Sequence, residues 1–399
     1  MRCVLQFNAG ESVFDFIMNQ GTLVGEEKLI ANRSLVVSDG KIVSLEQMDP
    51  AAAVENIDAA GLIIAPGFID LHVHGADGAD ILDCDPGSLQ RIAGYHGRHG
   101  TTAMLATVAP STHERMALAL ETAASHTTSA AGASIIGANL EGPFLNRSYS
   151  GALGIPFLRE PDKHEMNELL SAGQGKVRMV SLAPELTGAL EVVELLSSCG
   201  VIPTLGHSRA TFTETINAAR AGLKHITHIF NAMVPIHHRE PGPAGAALVS
   251  PELSVEVIAD GVHVHRAMLQ LLWHIKGDRL VLVSDAIAAA GLADGCYRFG
   301  RQKIVVKGSR AEIPGGRLAG STITVLDAVR NMVKLAGLKL PQAVKLASAN
   351  PAAVLGLQKK GRLAPGYDAD LVLLDSHLDP FLVMVEGRTI FRRGGKVLK

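Results

Sequence analysis

The chain has 399 residues, a formal net charge of −2, 47% apolar residues and only 4% aromatic ones. This length exceeds an ordinary single domain, and a near-neutral charge without blocks of like charge excludes the footprint of a nucleic-acid or anionic-membrane binder, leaving a small-molecule partner. Cys3, Cys84, Cys199 and Cys296 are too far apart for a zinc knuckle or redox pair, too few for a disulfide scaffold, and no apolar window reaches membrane-spanning length; a cytoplasmic protein is expected.

Near the start, SLVVSDGKIVSLE (34–46) carries the hairpin signal Asp39-Gly40 between two strand-like runs. Eight apolar runs bounded by turn residues follow: LIIAPGFIDLHVH (62–74), TTAMLATVA (101–109), SIIGANLEG (134–142), VRMVSLAPE (177–185), VIPTLGHS (201–208), HITHIFNAM (225–233), SVEVIADGVHV (254–264) and LVLVSDAI (280–287). Between them lie helical patterns such as SLQRIAGYHGRHG and RATFTETINAARAG, ending in glycine as a capped helix does. Residues 297–321 predict a β excursion returning through a Gly-rich loop to a last helix over 324–336, and DADLVLLD with FLVMVEGRTIFRRGGKVL (381–398) predicts more paired strands.

Eight strands alternating with helices predict an α/β fold, a TIM-type (β/α)8 barrel whose active site lies at the C-terminal strand ends. The doubly wound alternative lacks its phosphate-binding G-x-G-x-x-G or P-loop. Both chain ends are expected to pair into a small β-sandwich domain, residues 1–55 with 358–399, the barrel of 56–357 being inserted between them.

Polar residues gather where these runs end. The first ends in His72 and His74, the third in Glu141, the fifth in His207, the sixth contains His228 and Asn231, and the eighth ends in Asp285. Four imidazoles and two carboxylates on one rim suit a divalent ion, and two ions bridged by one carboxylate would use this many groups. In H-x-H on a strand both side chains face one side. His96 and His99 end the first helix and read as surface residues that complement its carbonyls. His225 points away from His228, His263 lies on the same rim, and His237, His238 and Arg239 form a loop cluster suited to an anionic group of a substrate.

PGFIDLHVHG (66–75) resembles the first-strand motif of the amidohydrolase superfamily. NLEGPFLN (139–146), GHS (206–208), THIFNAM (227–233), HHREPG (237–242), ADGVHVH (259–265), SDA (284–286) and LAGS (318–321) resemble, in this order, the N-acetylglucosamine-6-phosphate deacetylases. The resemblance implies metal-dependent hydrolysis of the acetamide of N-acetyl-D-glucosamine 6-phosphate to D-glucosamine 6-phosphate and acetate, in amino-sugar catabolism. The alternatives are the galacto epimer, another cyclic-amide hydrolase, or a barrel without catalysis.

Carried over by residue, the resemblance implies Glu141, His207 and His228 as ligands of one ion and His72 and His74 as ligands of a second, with Glu141 bridging. Zinc is expected first, with iron, manganese, cobalt or nickel as alternatives. Asp285 becomes ligand and general acid and base. Substrate contacts fall on Asn231 and Ala232, on Arg239, on Asp260, Gly261, Val262 and His263, and on Leu318, Ala319 and Gly320. Arg239 would reach the neighbouring subunit's site, implying a homodimer. One motif departs: the family's substrate-contacting histidine is replaced in Gly151-Ala152-Leu153 by leucine, which donates no hydrogen bond. Losing a donor to the developing oxyanion costs about 10² to 10³ in rate unless a second ion at His72 and His74 does that work.

Overall fold

The computed structural model describes residues 14–126, 132–299 and 302–394; Cys3 and the outermost parts of both terminal segments lie outside them. Eight parallel strands pair in chain order: Phe68–Val73, Thr101–Val108, Ser134–Glu141, Val177–Leu182, Ile202–Leu205, His225–Ile226, Ser254–Ile258 and Leu280–Val283. Every residue of the first two is buried, which is why their sequences run apolar without alternation. The last strand meets the first at a bridge between Val73 and Ala286, where Asp285 N–H donates to the His72 carbonyl and His74 N–H to that of Ala286, both at 2.9 Å. Helices cover the outside. Asp85 caps Pro86–Arg98, and Thr324 with Asp327 forms a capping box on Val325–Ala336.

The barrel strands end before their apolar runs do, and at three of them the shortfall bears on the donor residues. The fifth stops at Leu205, the sixth at Ile226 and the eighth at Val283, and beyond them His207, His228 and Asp285 adopt left-handed φ angles of 49°, 28° and 49°. His228 and Asn231 therefore stand on a turn after the sixth strand rather than within it. The first run also divides. Ile63–Pro66 pairs antiparallel with Leu371–Leu374 in the sheet of the chain ends, and the barrel begins only at Phe68. Gly67 makes the crossing: a Cβ there would sit 2.2 Å from Thr102 Oγ1, so only glycine passes.

That second sheet has eight strands drawn from both ends of the chain, with Phe14–Val24 and Leu371–Leu374 flanking Ile63–Pro66. Its strands are two-faced. Leu371, Leu373, Leu382 and Met384 enter a core of their own with Met18, Leu35 and Ile64, whereas Val372, Leu374, Val383 and Val385 join the main barrel core. The hairpin at Asp39-Gly40 forms between Leu29–Ser38 and Lys41–Ser44 with positive φ at both turn residues, as its sequence requires. The β excursion is a three-stranded antiparallel sheet, Gly295–Phe299, Gln302–Lys307 and Arg310–Glu312. Among the described residues no helix is long and apolar enough to cross a membrane.

His96 is a correction. It is not a surface residue but fully buried, because it continues the inward stripe of Leu89, Ile92 and Ala93 on Pro86–Arg98. Burial pushes its imidazole down to about 4. His99, at the helix end, places Nδ1 2.7 Å from the Tyr95 carbonyl.

Candidate metal centre and active cavity

The barrel ends bring six donor side chains to one place. His72 and His74 face the same side, with Nε2 atoms 3.2 Å apart. Glu141 is the last residue of the third strand, and its Oε1 lies 3.0 Å from His207 Nε2 and 3.2 Å from His228 Nε2, while Oε2 is 3.4 Å from His74 Nε2. Asp285 Oδ1 stands 3.4 Å from His74 Nε2 and 3.6 Å from His72 Nε2. Two groups with metal-ligand spacing result, His72, His74, Glu141 and Glu141, His207, His228, sharing one carboxylate.

Groups behind the donors set their tautomers. His72 Nδ1–H donates to Glu256 Oε2 at 3.1 Å, and His225 Nε2–H donates to the other oxygen of that carboxylate, also at 3.1 Å. His207 Nδ1–H donates to the Tyr149 carbonyl at 2.9 Å. With Nδ1 protonated, Nε2 of His72 and His207 carries a lone pair, and these lone pairs point at other lone pairs and at carboxylate oxygens. Such a set is repulsive alone and is resolved by a cation between its members.

The electrostatics agree. Burial acts against charge on His72, yet Asp285, Glu256 and Glu141 together push it up to about 10, so protein charges alone would hold a proton there. A divalent ion would supply that positive charge instead. Burial likewise opposes the Glu141 carboxylate, but His207, His228 and His72 hold it well below its usual range, and Asp285 is lowered against its burial by His72, His74 and His228. Glu141 Oε2 is buried without a hydrogen-bond donor among the described residues. The residues fit a divalent metal.

A cavity of about 370 Å³ opens over the cluster. Ala152, Leu153, Asn231 and Ala232 line it, and so do His263, Leu318 and Gly320. Asp260 does not; it accepts from the backbone N–H of Val262 and His263 at 2.8 Å and from His263 Nδ1–H at 2.7 Å, so Gly261 and Val262 form a turn that aims His263. Ala319 is buried behind the wall with Leu153, Ile287 and Ile304. Arg239 is not brought to the cavity of its own chain; it is exposed, with its guanidinium 2.9 Å from His238 Nε2. Gly151, at φ 58°, leaves room beside a ligand, since a Cβ there would meet His207 Cε1 at 3.3 Å.

Sequence reasoning missed Glu256, Tyr149 and Arg317, the last an exposed arginine in the cavity lining. Glu256 had a visible signal, a lone carboxylate inside the apolar strand SVEVI. Tyr149 acts through its carbonyl and had none.

A parallel barrel whose strand ends carry histidines around a shared carboxylate defines a metal-dependent hydrolase. The chain belongs to the amidohydrolase family, whose model it matches over residues 63–392. It is 37% identical to the N-acetylglucosamine-6-phosphate deacetylase of Vibrio furnissii, covering 89% of this chain and 90% of that one. It is 36% identical to the N-acetylgalactosamine-6-phosphate deacetylase of Escherichia coli O157:H7, over 93% and 98%. A point mutant of the N-acetyl-D-glucosamine-6-phosphate deacetylase of Mycobacterium smegmatis, solved in complex with N-acetyl-D-glucosamine 6-phosphate, superposes with a TM-score of 0.88 at 36% identity, covering 94% of this chain and 99% of that one.

Proposed function

We propose that this chain hydrolyses the acetamide of N-acetyl-D-glucosamine 6-phosphate to D-glucosamine 6-phosphate and acetate. The observation that carries the reading is the carboxylate of Asp285, set against the His72 and His74 pair on the floor of a cavity large enough for one sugar phosphate. Glu141, His207 and His228 would hold one divalent ion, and His72 and His74 with Glu141 a second; nitrogen and carboxylate donors favour zinc. A bound ion supplies Lewis acidity and lowers the pKa of water. Asp285, charged at neutral pH, accepts the proton of the attacking water and returns it to the leaving amine. Asn231, Ala232 and His263 would orient the sugar, and Leu153 gives an apolar wall that donates no hydrogen bond. Arg239, exposed on its loop, is suited to reach a second copy, which makes a homodimer the working assembly. The free cysteines Cys84, Cys199 and Cys296 suit a reducing, cytoplasmic compartment.

Acetate release from the gluco and galacto 6-phosphates, with metal content measured on the same preparation, tests the reading. Turnover of the galacto epimer alone would move the assignment to the activity of the Escherichia coli relative, and no turnover of either by metal-loaded protein would sink it. Asp285→Asn is expected to keep its metal but lose about 10² or more in turnover.

A further inference from the structure

We propose that three buried hydroxyls, those of Ser181, Thr204 and Thr227, form a closed ring that positions His228 and thereby sets how tightly Glu141, His207 and His228 hold an ion. The inference rests on the ligand set proposed above and not on the identity of the sugar. Ser181 Oγ lies 2.7 Å from Thr204 Oγ1 and 2.9 Å from Thr227 Oγ1, and the two threonine oxygens are 3.0 Å apart. Each hydroxyl has one proton to donate, so three protons serve three contacts and every member both donates and accepts. All three residues are buried. An unmatched hydroxyl is costly there, so the ring holds its members to one arrangement.

The ring stands among the residues that carry the donors. In the strand registers Ser181 pairs with Glu141 on one side and with Thr204 on the other. Thr227 immediately precedes His228, and a Cβ on Gly206, which precedes His207, would come within 3.2 Å of Thr227 Cβ and 3.6 Å of Ser181 Cβ. His228 depends on such support more than His72 or His207 does. Those two are oriented through Nδ1, by Glu256 and by the Tyr149 carbonyl, whereas His228 Nδ1 is buried with no hydrogen-bond partner among the described residues. Its imidazole is aimed by its backbone instead, at a φ of 28° that a residue other than glycine keeps only where its surroundings impose it. Thr227 N–H donates to the Leu205 carbonyl at 2.8 Å and Ile229 N–H to the Glu256 carbonyl at 2.9 Å, which fixes the main chain on both sides of His228. The ring adds the side chain of Thr227 to that hold.

The test measures zinc affinity of the full-length chain by competition with a chromophoric chelator, in a His74→Ala parent that keeps Glu141, His207 and His228 as its one three-ligand group. Thr227→Val keeps the shape of the side chain and removes its hydroxyl. It is expected to weaken zinc binding roughly 10-fold and to shift the visible bands of the cobalt-loaded protein, and Thr227→Ser to restore both. Ser181→Ala, which opens the ring but leaves the contact between Thr204 and Thr227, is a second variant expected to act in the same direction. Thr215→Val removes another buried hydroxyl, on the helix Phe212–Ala221, and should lower unfolding stability without moving zinc affinity. A ring that serves packing alone would behave as Thr215 does. Zinc affinity within twofold of the parent and unaltered cobalt bands, in whichever of the two ring variants fold, overturn the proposal while leaving the metal centre and the reaction standing. A parent that takes up neither ion overturns the proposal together with that ligand set, and acetate release by the wild type then still decides the reaction.

Discussion

Glu256 does not line the cavity, yet it decides which nitrogen His72 turns toward the donor cluster. Its two oxygens accept hydrogen bonds from His72 Nδ1–H and His225 Nε2–H, which leaves the His72 lone pair on the side of the donor cluster. Glu256→Gln offers an amide whose nitrogen competes to donate where a carboxylate could only accept. Metal affinity is expected to fall about 10- to 100-fold, read by competition with a chromophoric chelator. His96 illustrates a different use of burial. The unfolded chain takes up a proton below the ordinary value of 6.5, the folded chain only below about 4, so stability falls as pH drops through that window. The loss amounts to about 3 kcal/mol. In denaturant titrations at pH 7 and pH 4, His96→Leu should lack this contribution, so that its stability relative to wild type rises by about that much at the acid end.

At the scale of elements, the strand–helix rhythm and the rim on which the donors fall were legible, because buried parallel strands write themselves as apolar runs and H-x-H puts both imidazoles on one face. Strand ends were not. The apolar run continues past Ile226 through His228 and Phe230, since that turn is largely buried, and its left-handed φ angles fall on residues that carry no glycine to announce them. The crossing at Gly67 did carry a signal, the Pro66-Gly67 pair, masked by apolar residues on both sides. Gly67→Ala tests its importance. With Thr102 in the way of the new methyl, a loss of about 1–3 kcal/mol in unfolding free energy is expected in denaturant titrations.

For the whole molecule, the sheet of the chain ends and the barrel share more than apolar contact. Lys360 Nζ reaches Asp370 at 2.8 Å, Asp368 at 3.0 Å and Glu386 at 3.1 Å, and the Asp370 carbonyl accepts the Gly67 N–H at 2.8 Å. This network ties the chain leaving the barrel to the strand that entered it. Pairing between segments so far apart in sequence could be expected from β-rich ends, but the ion network that joins them could not, because nothing in the motif GR or DAD names a partner. Lys360→Met leaves Asp370 and Glu386 without their cation, while Asp368 keeps Lys41, and with Asp370 buried it should cost about 3 kcal/mol in thermal or denaturant unfolding. Asp370→Asn in that background should recover part of it.

The seam where the last barrel strand meets the first is also where the chemistry is held. The amide of Asp285 is bonded to the carbonyl of His72, and the amide of His74 to that of Ala286. Asp285 and the His72 and His74 pair are therefore opposite halves of a clasp: spreading the ring by one strand spacing would dismantle the donor set and the fold's closure in a single motion. An ion held by residues on both sides of that clasp would bind only the closed ring, so metal loading and ring closure would form one coupled equilibrium, each favouring the other by mass action.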